Sequence, residues 1–107
     1  MTRYGSVIRV CPEKLEEYRK LHAEVWPGVL KMIYECNLRN YSIYYRDGLL
    51  FSYYEYVGSD YPADMSKMAS DPETRRWWDA CGPCQQPLET CADGEWWASM
   101  EEIFHTA

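Results

Sequence analysis

A chain of 107 residues is enough for one compact domain and too short for two, so residues 1–107 are read as a single unit. Eleven Lys and Arg against 17 Asp and Glu give a net charge of −6 with no basic cluster, which argues against nucleic acid or an anionic membrane as partner. No stretch approaches the ~18 apolar residues of a membrane span, and the opening MTRYGSVIRV lacks a charged-then-apolar export pattern, so the expectation is a cytoplasmic protein with a neutral or cationic small-molecule partner.

Residues 3–10 are short and apolar-rich and predict a strand ending at Cys11-Pro12. Pro12 suits the first turn of a helix, and Glu13, Glu16 and Glu17 place negative charge near its positive end. Leu15, Tyr18, Leu21, His22 and Val25 recur at helical spacing and share one face. Trp26-Pro27 interrupts that helix, because proline removes a donor and biases its predecessor away from helical geometry. Helix resumes through Val29, Leu30 and Ile33 and stops near Cys36-Asn37. Residues 40–46 and 49–57 are rich in aromatic and β-branched side chains, and Asp47-Gly48 between them predicts a two-residue hairpin turn. Gly58 to Pro62 is turn-like, and Ala63–Ala69 and Pro72–Ala80 read as two short helices parted at Ser70-Asp71-Pro72. Cys81 to Gly94 is irregular, and Trp96 to Phe104 predicts a last strand.

The order β, α, β, β, α, β predicts a ferredoxin-like α+β sandwich, with helices covering one face of an antiparallel sheet. The other face then has to meet a ligand or a second subunit, and a homodimer packed sheet to sheet is the economical solution.

Five Trp, ten Tyr and two Phe make the chain 16% aromatic, and most of these rings carry a polar group. They either pack the sheet or line a pocket for something with both C–H and O–H surfaces, such as a sugar. Five cysteines, an odd number, argue against a disulfide framework. Cys81-Gly-Pro-Cys84 has the spacing of a redox or zinc half-site that Cys91 could extend, but no fourth ligand is evident except conceivably His105, so structural cysteines and no metal are expected.

Two pairs carry the chemistry. Tyr18 and His22 lie one helical turn apart and are neighbours on one face. His22 is either a hydrogen-bonded surface residue or a proton carrier, since a free imidazole titrates near ~6.5. Trp77 and Trp78 point about 100° apart on a helix, so one packs inward while the other meets solvent, a partner or a pocket. Trp96-Trp97, on a strand, would put one ring on each face. No nucleophile, metalloprotease or phosphate-loop motif is present, which leaves acid–base chemistry with no covalent intermediate and no cofactor.

Three separated motifs give a resemblance that runs essentially end to end. Tyr18-Arg-Lys-Leu-His22-Ala-Glu-Val-Trp26-Pro27, Asn40-Tyr41-Ser-Ile-Tyr44 and Arg76-Trp77-Trp78 closely resemble the L-rhamnose mutarotase family, and Gly94-Glu-Trp-Trp leading to Met100-Glu-Glu-Ile-Phe104-His105 resembles one branch of it. The resemblance implies a small dimeric α+β barrel that interconverts the α and β anomers of a 6-deoxy sugar without a cofactor. It implies His22 as proton donor and Tyr18, Tyr41, Trp77 and Trp78 as sugar-binding residues. The cysteine-bearing stretch from Cys81 to Cys91 departs from the family pattern and is expected to alter the pocket rim, leaving L-rhamnose against L-fucose open. Cofactor-independent monooxygenases share this outline, and a non-catalytic dimeric binding module is the third reading.

Overall fold

The computed structural model describes residues Met1–Ala107. Strand β1 (Thr2–Val10) leads through a 3-10 turn at Pro12–Lys14 into α1 (Leu15–Ala23) and α2 (Pro27–Glu35). The hairpin β2 (Leu38–Arg46) and β3 (Leu49–Tyr56) follows, then α3 (Tyr61–Ser70) and α4 (Pro72–Cys81). A second 3-10 turn at Gly82–Cys84 precedes β4 (Gln85–Gln86), and β5 (Ala98–Met100) closes the order. The sheet is antiparallel and runs β2-β3-β1, with β4 and β5 sharing the far edge of β1. This is the expected α+β architecture, helices on one face of a curled sheet.

The helix breaks follow from local chemistry. Pro27 occupies the first turn of α2 after Trp26, whose extended backbone (φ −60, ψ 135) a helix cannot continue. Asp60 caps α3 by accepting from the Ala63 amide, and Asp71 caps α4 by accepting from both the amide and the hydroxyl of Thr74. The helical face marked by Leu15, Tyr18, Leu21 and Val25 turns toward a core of Ile8, Val10, Val29, Leu50, Trp77, Cys81 and Cys84.

The hairpin turn has φ +50 at Asp47 and +80 at Gly48, the left-handed pair that matches the twist of the flanking strands. A Cβ at Gly48 meets nothing within 4 Å, so only backbone strain opposes it. Gly48→Ala therefore lowers stability by about 1–2 kcal/mol, the cost of an L-residue in that region, without a change in the near-UV spectrum of the folded state; chemical denaturation reads it.

Two expectations need correction. The last strand was expected over Trp96–Phe104 but spans only Ala98–Met100. β4 holds the β1 edge at Arg9 and Val10 and β5 holds it at Gly5 to Val7, so the edge strand is split by the excursion from Pro87 to Trp97. Trp96 and Trp97 lie in a bend of that excursion, and strand alternation does not govern them. Beyond Met100 the chain has no regular structure; Arg3 holds it through Glu102, while Ile103 and Phe104 are 89% and 80% exposed.

The second correction concerns β2, which starts at Leu38 and carries a bulge. Arg39 pairs with Glu55 and Ser42 with Tyr53, so Asn40 and Tyr41 together oppose one residue of β3. Asn40 takes φ +52, and its side-chain amide donates to Glu55 at 2.9 Å. The extra residue shifts the side-chain phase, so Leu38, Tyr41 and Ile43 all face the helices.

A cavity lies between the sheet and the helices, on the covered face of the sheet.

Candidate functional site

The open cavity between sheet and helices measures about 560 Å³, within the range of small-molecule sites. Its walls come from α1 (Tyr18, His22), the β2 bulge (Tyr41), α4 (Trp77, Trp78) and the split-edge segment (Gln85, Trp96, Trp97). All five residues singled out from the sequence, His22, Tyr18, Tyr41, Trp77 and Trp78, line this one cavity. The adjacent tryptophans divide as helical geometry requires: Trp77 is 7% exposed and Trp78 is 45% exposed.

His22 is half-buried. Its Nδ1 lies 2.9 Å from the carbonyl oxygen of Tyr18, one turn back on α1. A carbonyl only accepts, so Nδ1 carries the proton in the neutral ring and Nε2 keeps the lone pair. The imidazole stacks on the Tyr18 ring at 4.2 Å between centroids and meets Trp77 edge-on at 5.1 Å. Trp26 backs Trp77 at 5.2 Å. Burial pushes the His22 pKa below its ordinary value, and the Tyr18 carbonyl offsets this only in part. The resting ring is neutral at neutral pH and is equipped to accept a proton at Nε2. A second, smaller cavity of about 280 Å³ also has Tyr18 and His22 in its wall, toward Arg19 and Tyr45.

Tyr18 is buried, and burial raises its pKa far enough that it stays a phenol. Its oxygen accepts from Gln85 Nε2 at 3.2 Å, and Gln85 Oε1 accepts from Trp96 Nε1 at 2.7 Å. Tyr41 packs against Tyr54 at 5.1 Å, and crowding by protein around its hydroxyl pushes it up to about 12. Ser6 and Ser52 face each other on the floor and share one hydrogen bond at 2.5 Å. Two hydroxyls bring two protons and that bond uses one, so the floor keeps a donor in a mainly apolar wall.

Gln85, Ser6 and Ser52 were not singled out by the sequence, and Trp96 was noted there as a strand residue and as part of the C-terminal motif, not as a cavity residue. Ser6 had a signal: it falls at an inward position of β1 between Tyr4 and Ile8. Gln85 had none, and the Gly94-Glu-Trp-Trp motif that holds Trp96 did not place its ring in the cavity, because both positions depend on how the edge strand splits.

The cysteine stretch holds no metal set, since no three metal-ligating side chains converge anywhere in the chain. All five thiols are free. Cys81 sits in the cavity wall with its pKa pushed up to about 12 by burial, and Cys84 is raised to about 11 by burial and by donating to Glu17. Thiols held this firmly protonated are poor nucleophiles. No helix is long and apolar enough to cross a membrane.

Comparison with known proteins adds independent findings. The family model for L-rhamnose mutarotase matches residues 3–106. The L-rhamnose mutarotase of Oceanobacillus iheyensis is 30% identical over 107 residues, 98% of each chain. That of Sinorhizobium fredii is 31% identical over 108 residues, again 98% of each. Among solved structures, L-rhamnose mutarotase FA22100 from Formosa agariphila superposes with a TM-score of 0.77 at 16% identity, covering all of both chains. Tetracenomycin F2 cyclase from Streptomyces glaucescens, a type-II polyketide cyclase, superposes with a TM-score of 0.73 at 17% identity, over 100% of this chain and 98% of that one. At such identities the two superpositions carry the fold and nothing more.

Proposed function

The chain belongs to the L-rhamnose mutarotase family, and from that premise we propose that it interconverts the α and β anomers of L-rhamnopyranose by acid–base ring opening and closure, with His22 as the proton carrier. The observation that carries this reading is the convergence of His22, Tyr18, Tyr41, Trp77 and Trp78 on one cavity.

The reaction needs a proton off the anomeric hydroxyl and one onto the ring oxygen. Neutral His22 takes the first at Nε2 as the carbonyl forms and the bond from C1 to the ring oxygen breaks. The electron pair of that bond goes to the ring oxygen, and a hydrogen bond from Tyr18 stabilises the developing charge. Both oxygens are attached to C1, so the imidazolium that has taken the proton from one returns it to the other. After rotation about C1–C2 the steps reverse on the opposite carbonyl face, and His22 ends neutral. The family resemblance implies His22 as donor; the Nδ1–H tautomer and the lowered pKa favour acceptance first and donation second. Trp78 and Tyr41 offer faces suited to the C–H surface of a pyranose.

The reading extends to a cytoplasmic homodimer. Its support is the outer sheet face left uncovered by helices, with Tyr44 exposed on it and the apolar side chains of Ile103 and Phe104 standing free in the C-terminal segment.

NMR saturation transfer between anomeric proton signals tests the activity on L-rhamnose, L-fucose and D-glucose, with and without protein. Faster exchange for L-rhamnose is expected. Folded protein that leaves its exchange at the solvent rate overturns the proposal.

The pH dependence has a definite sign. His22 must be neutral to take the first proton, and its folded value lies below the ordinary 6.5. Activity therefore persists below pH 6.5 and is lost only as acidification passes the depressed value. Stability moves the same way: the unfolded chain binds this proton more readily, so the contribution is fully present above pH 6.5 and fades as pH falls through the folded value. Exchange rates and melting curves between pH 4 and 8, compared with His22→Asn, check both.

A further inference from the structure

We propose that Gln85 and Trp96 are positioning residues that fix the Tyr18 hydroxyl as a hydrogen-bond donor toward the sugar's ring oxygen. The proposal rests on the mutarotase reading above and extends it to two residues that the family resemblance gave no role in binding or catalysis.

The polarity of the chain follows from donor counting. An indole N–H only donates, so Trp96 Nε1, 2.7 Å from Gln85, requires the carbonyl oxygen of that side chain to face it. This fixes the amide orientation, which sequence or geometry alone leaves two-fold ambiguous. The Nε2 end then faces Tyr18 at 3.2 Å, and an amide nitrogen only donates. The Tyr18 oxygen is therefore the acceptor. Its own proton has no protein acceptor: the hydroxyl makes no other hydrogen bond, and the cavity wall around it is mainly apolar. A ligand oxygen in the cavity is the remaining recipient.

Both ends of the relay are braced. Tyr18 is 4% exposed and its ring is held against His22, so the hydroxyl has little freedom to swing. Gln85 begins β4, paired with β1 through Val10, and follows Cys84, whose carbonyl accepts from the Cys11 amide at 2.8 Å. Trp96 follows Glu95, whose carboxylate accepts from the Ala92 amide at 2.9 Å and from the Ser99 hydroxyl at 2.8 Å across the loop. The split of the edge strand thus has a chemical consequence, because it delivers an indole N–H to the one amide that touches Tyr18.

A purely structural role for Gln85, bridging the loop to α1, makes the opposite prediction for two variants. Gln85→Glu keeps the length and still accepts from Trp96, but offers Tyr18 an oxygen in place of an N–H. The phenol proton turns to that oxygen and the sugar loses its donor. Gln85→Met breaks the bridge at both ends but leaves the Tyr18 proton free. The relay predicts that Q85E loses about 10²-fold in both kcat and kcat/KM, the lower range for one donor lost from a developing oxyanion, and that Q85M loses distinctly less. It also predicts that the ratio of wild-type to Q85E rate shrinks as pH falls, because the introduced carboxyl becomes a donor when protonated. Trp96→Phe, which keeps the ring and removes the N–H that orients the amide, lowers kcat several-fold with little change in KM.

The measurement is saturation transfer on L-rhamnose with wild type alongside, and circular dichroism verifies folding of each variant. Wild type without activity overturns the mutarotase reading itself. Active wild type with Q85M as impaired as Q85E or more so, a pH-independent ratio, or Trp96→Phe at the wild-type rate overturns the relay while leaving that reading intact.

Discussion

Replacing His22 with asparagine lowers the saturating rate of anomer exchange by about 10²–10⁴-fold, the contribution of a placed general acid–base, while the protein still folds. Asparagine is the informative choice because its amide nitrogen keeps a donor for the Tyr18 carbonyl, which Nδ1 of His22 serves at 2.9 Å. The helix-side hydrogen bond survives, and the lone pair of Nε2 is lost. Trp77 and Tyr18, which flank the imidazole at 5.1 and 4.2 Å, keep their packing on the core cluster. Saturation transfer reads the rate, and a melting curve within about 1 °C per few tenths of a kcal/mol of wild type separates lost chemistry from lost structure. Exchange near the wild-type rate removes His22 from the mechanism.

The features legible in the sequence are those whose cause is local. Asp47-Gly48 specifies its turn because both residues tolerate positive φ, and Pro27 and Asp71-Pro72 break helices by what they lack or cap. The shared face of Tyr18 and His22 follows from helical spacing, and the division of Trp77 from Trp78 follows from the 100° step. The features that were not legible depend on partners distant in sequence. Whether residues 96–104 form a strand depends on how much of the β1 edge is free, and β4 has already taken its end at Arg9 and Val10. The bulge at Asn40 and Tyr41, braced by the Asn40 side-chain amide donating to Glu55, decides that Tyr41 faces the helices. The tautomer of His22 is set by a backbone oxygen, and the polarity of the Tyr18 hydroxyl by an amide 67 residues away. Spacing made the Tyr18–His22 neighbourhood and the Trp77–Trp78 divergence readable, the family resemblance supplied Tyr41 and the expected roles, and the groups that orient these side chains were not readable.

The two tryptophans of α4 separate stability from recognition, although they are adjacent in the chain. Trp77→Ala removes a side chain that is 7% exposed and wedged between His22 and Trp26, and truncations of this kind cost about 3–5 kcal/mol. Only 16 of 107 residues are buried, so little else in the core can close over the gap. Against a domain stability of about 5–15 kcal/mol, that loss takes a large share of the total. Trp78→Ala removes a side chain that is 45% exposed and faces the cavity. Its stability change stays within about 0.5 kcal/mol, as for other surface positions, while sugar affinity falls about three- to tenfold, the worth of one aromatic contact of about 0.5–1.5 kcal/mol. Urea denaturation and the sugar-concentration dependence of exchange measure the two effects on the same samples. If Trp78→Ala unfolds as readily as Trp77→Ala, the second ring belongs to the core and the stacking wall must be sought at Tyr41 and Trp96. If it weakens binding alone, the cavity mouth and the core meet between two consecutive residues, and the His22 ring sits on the core side of that boundary.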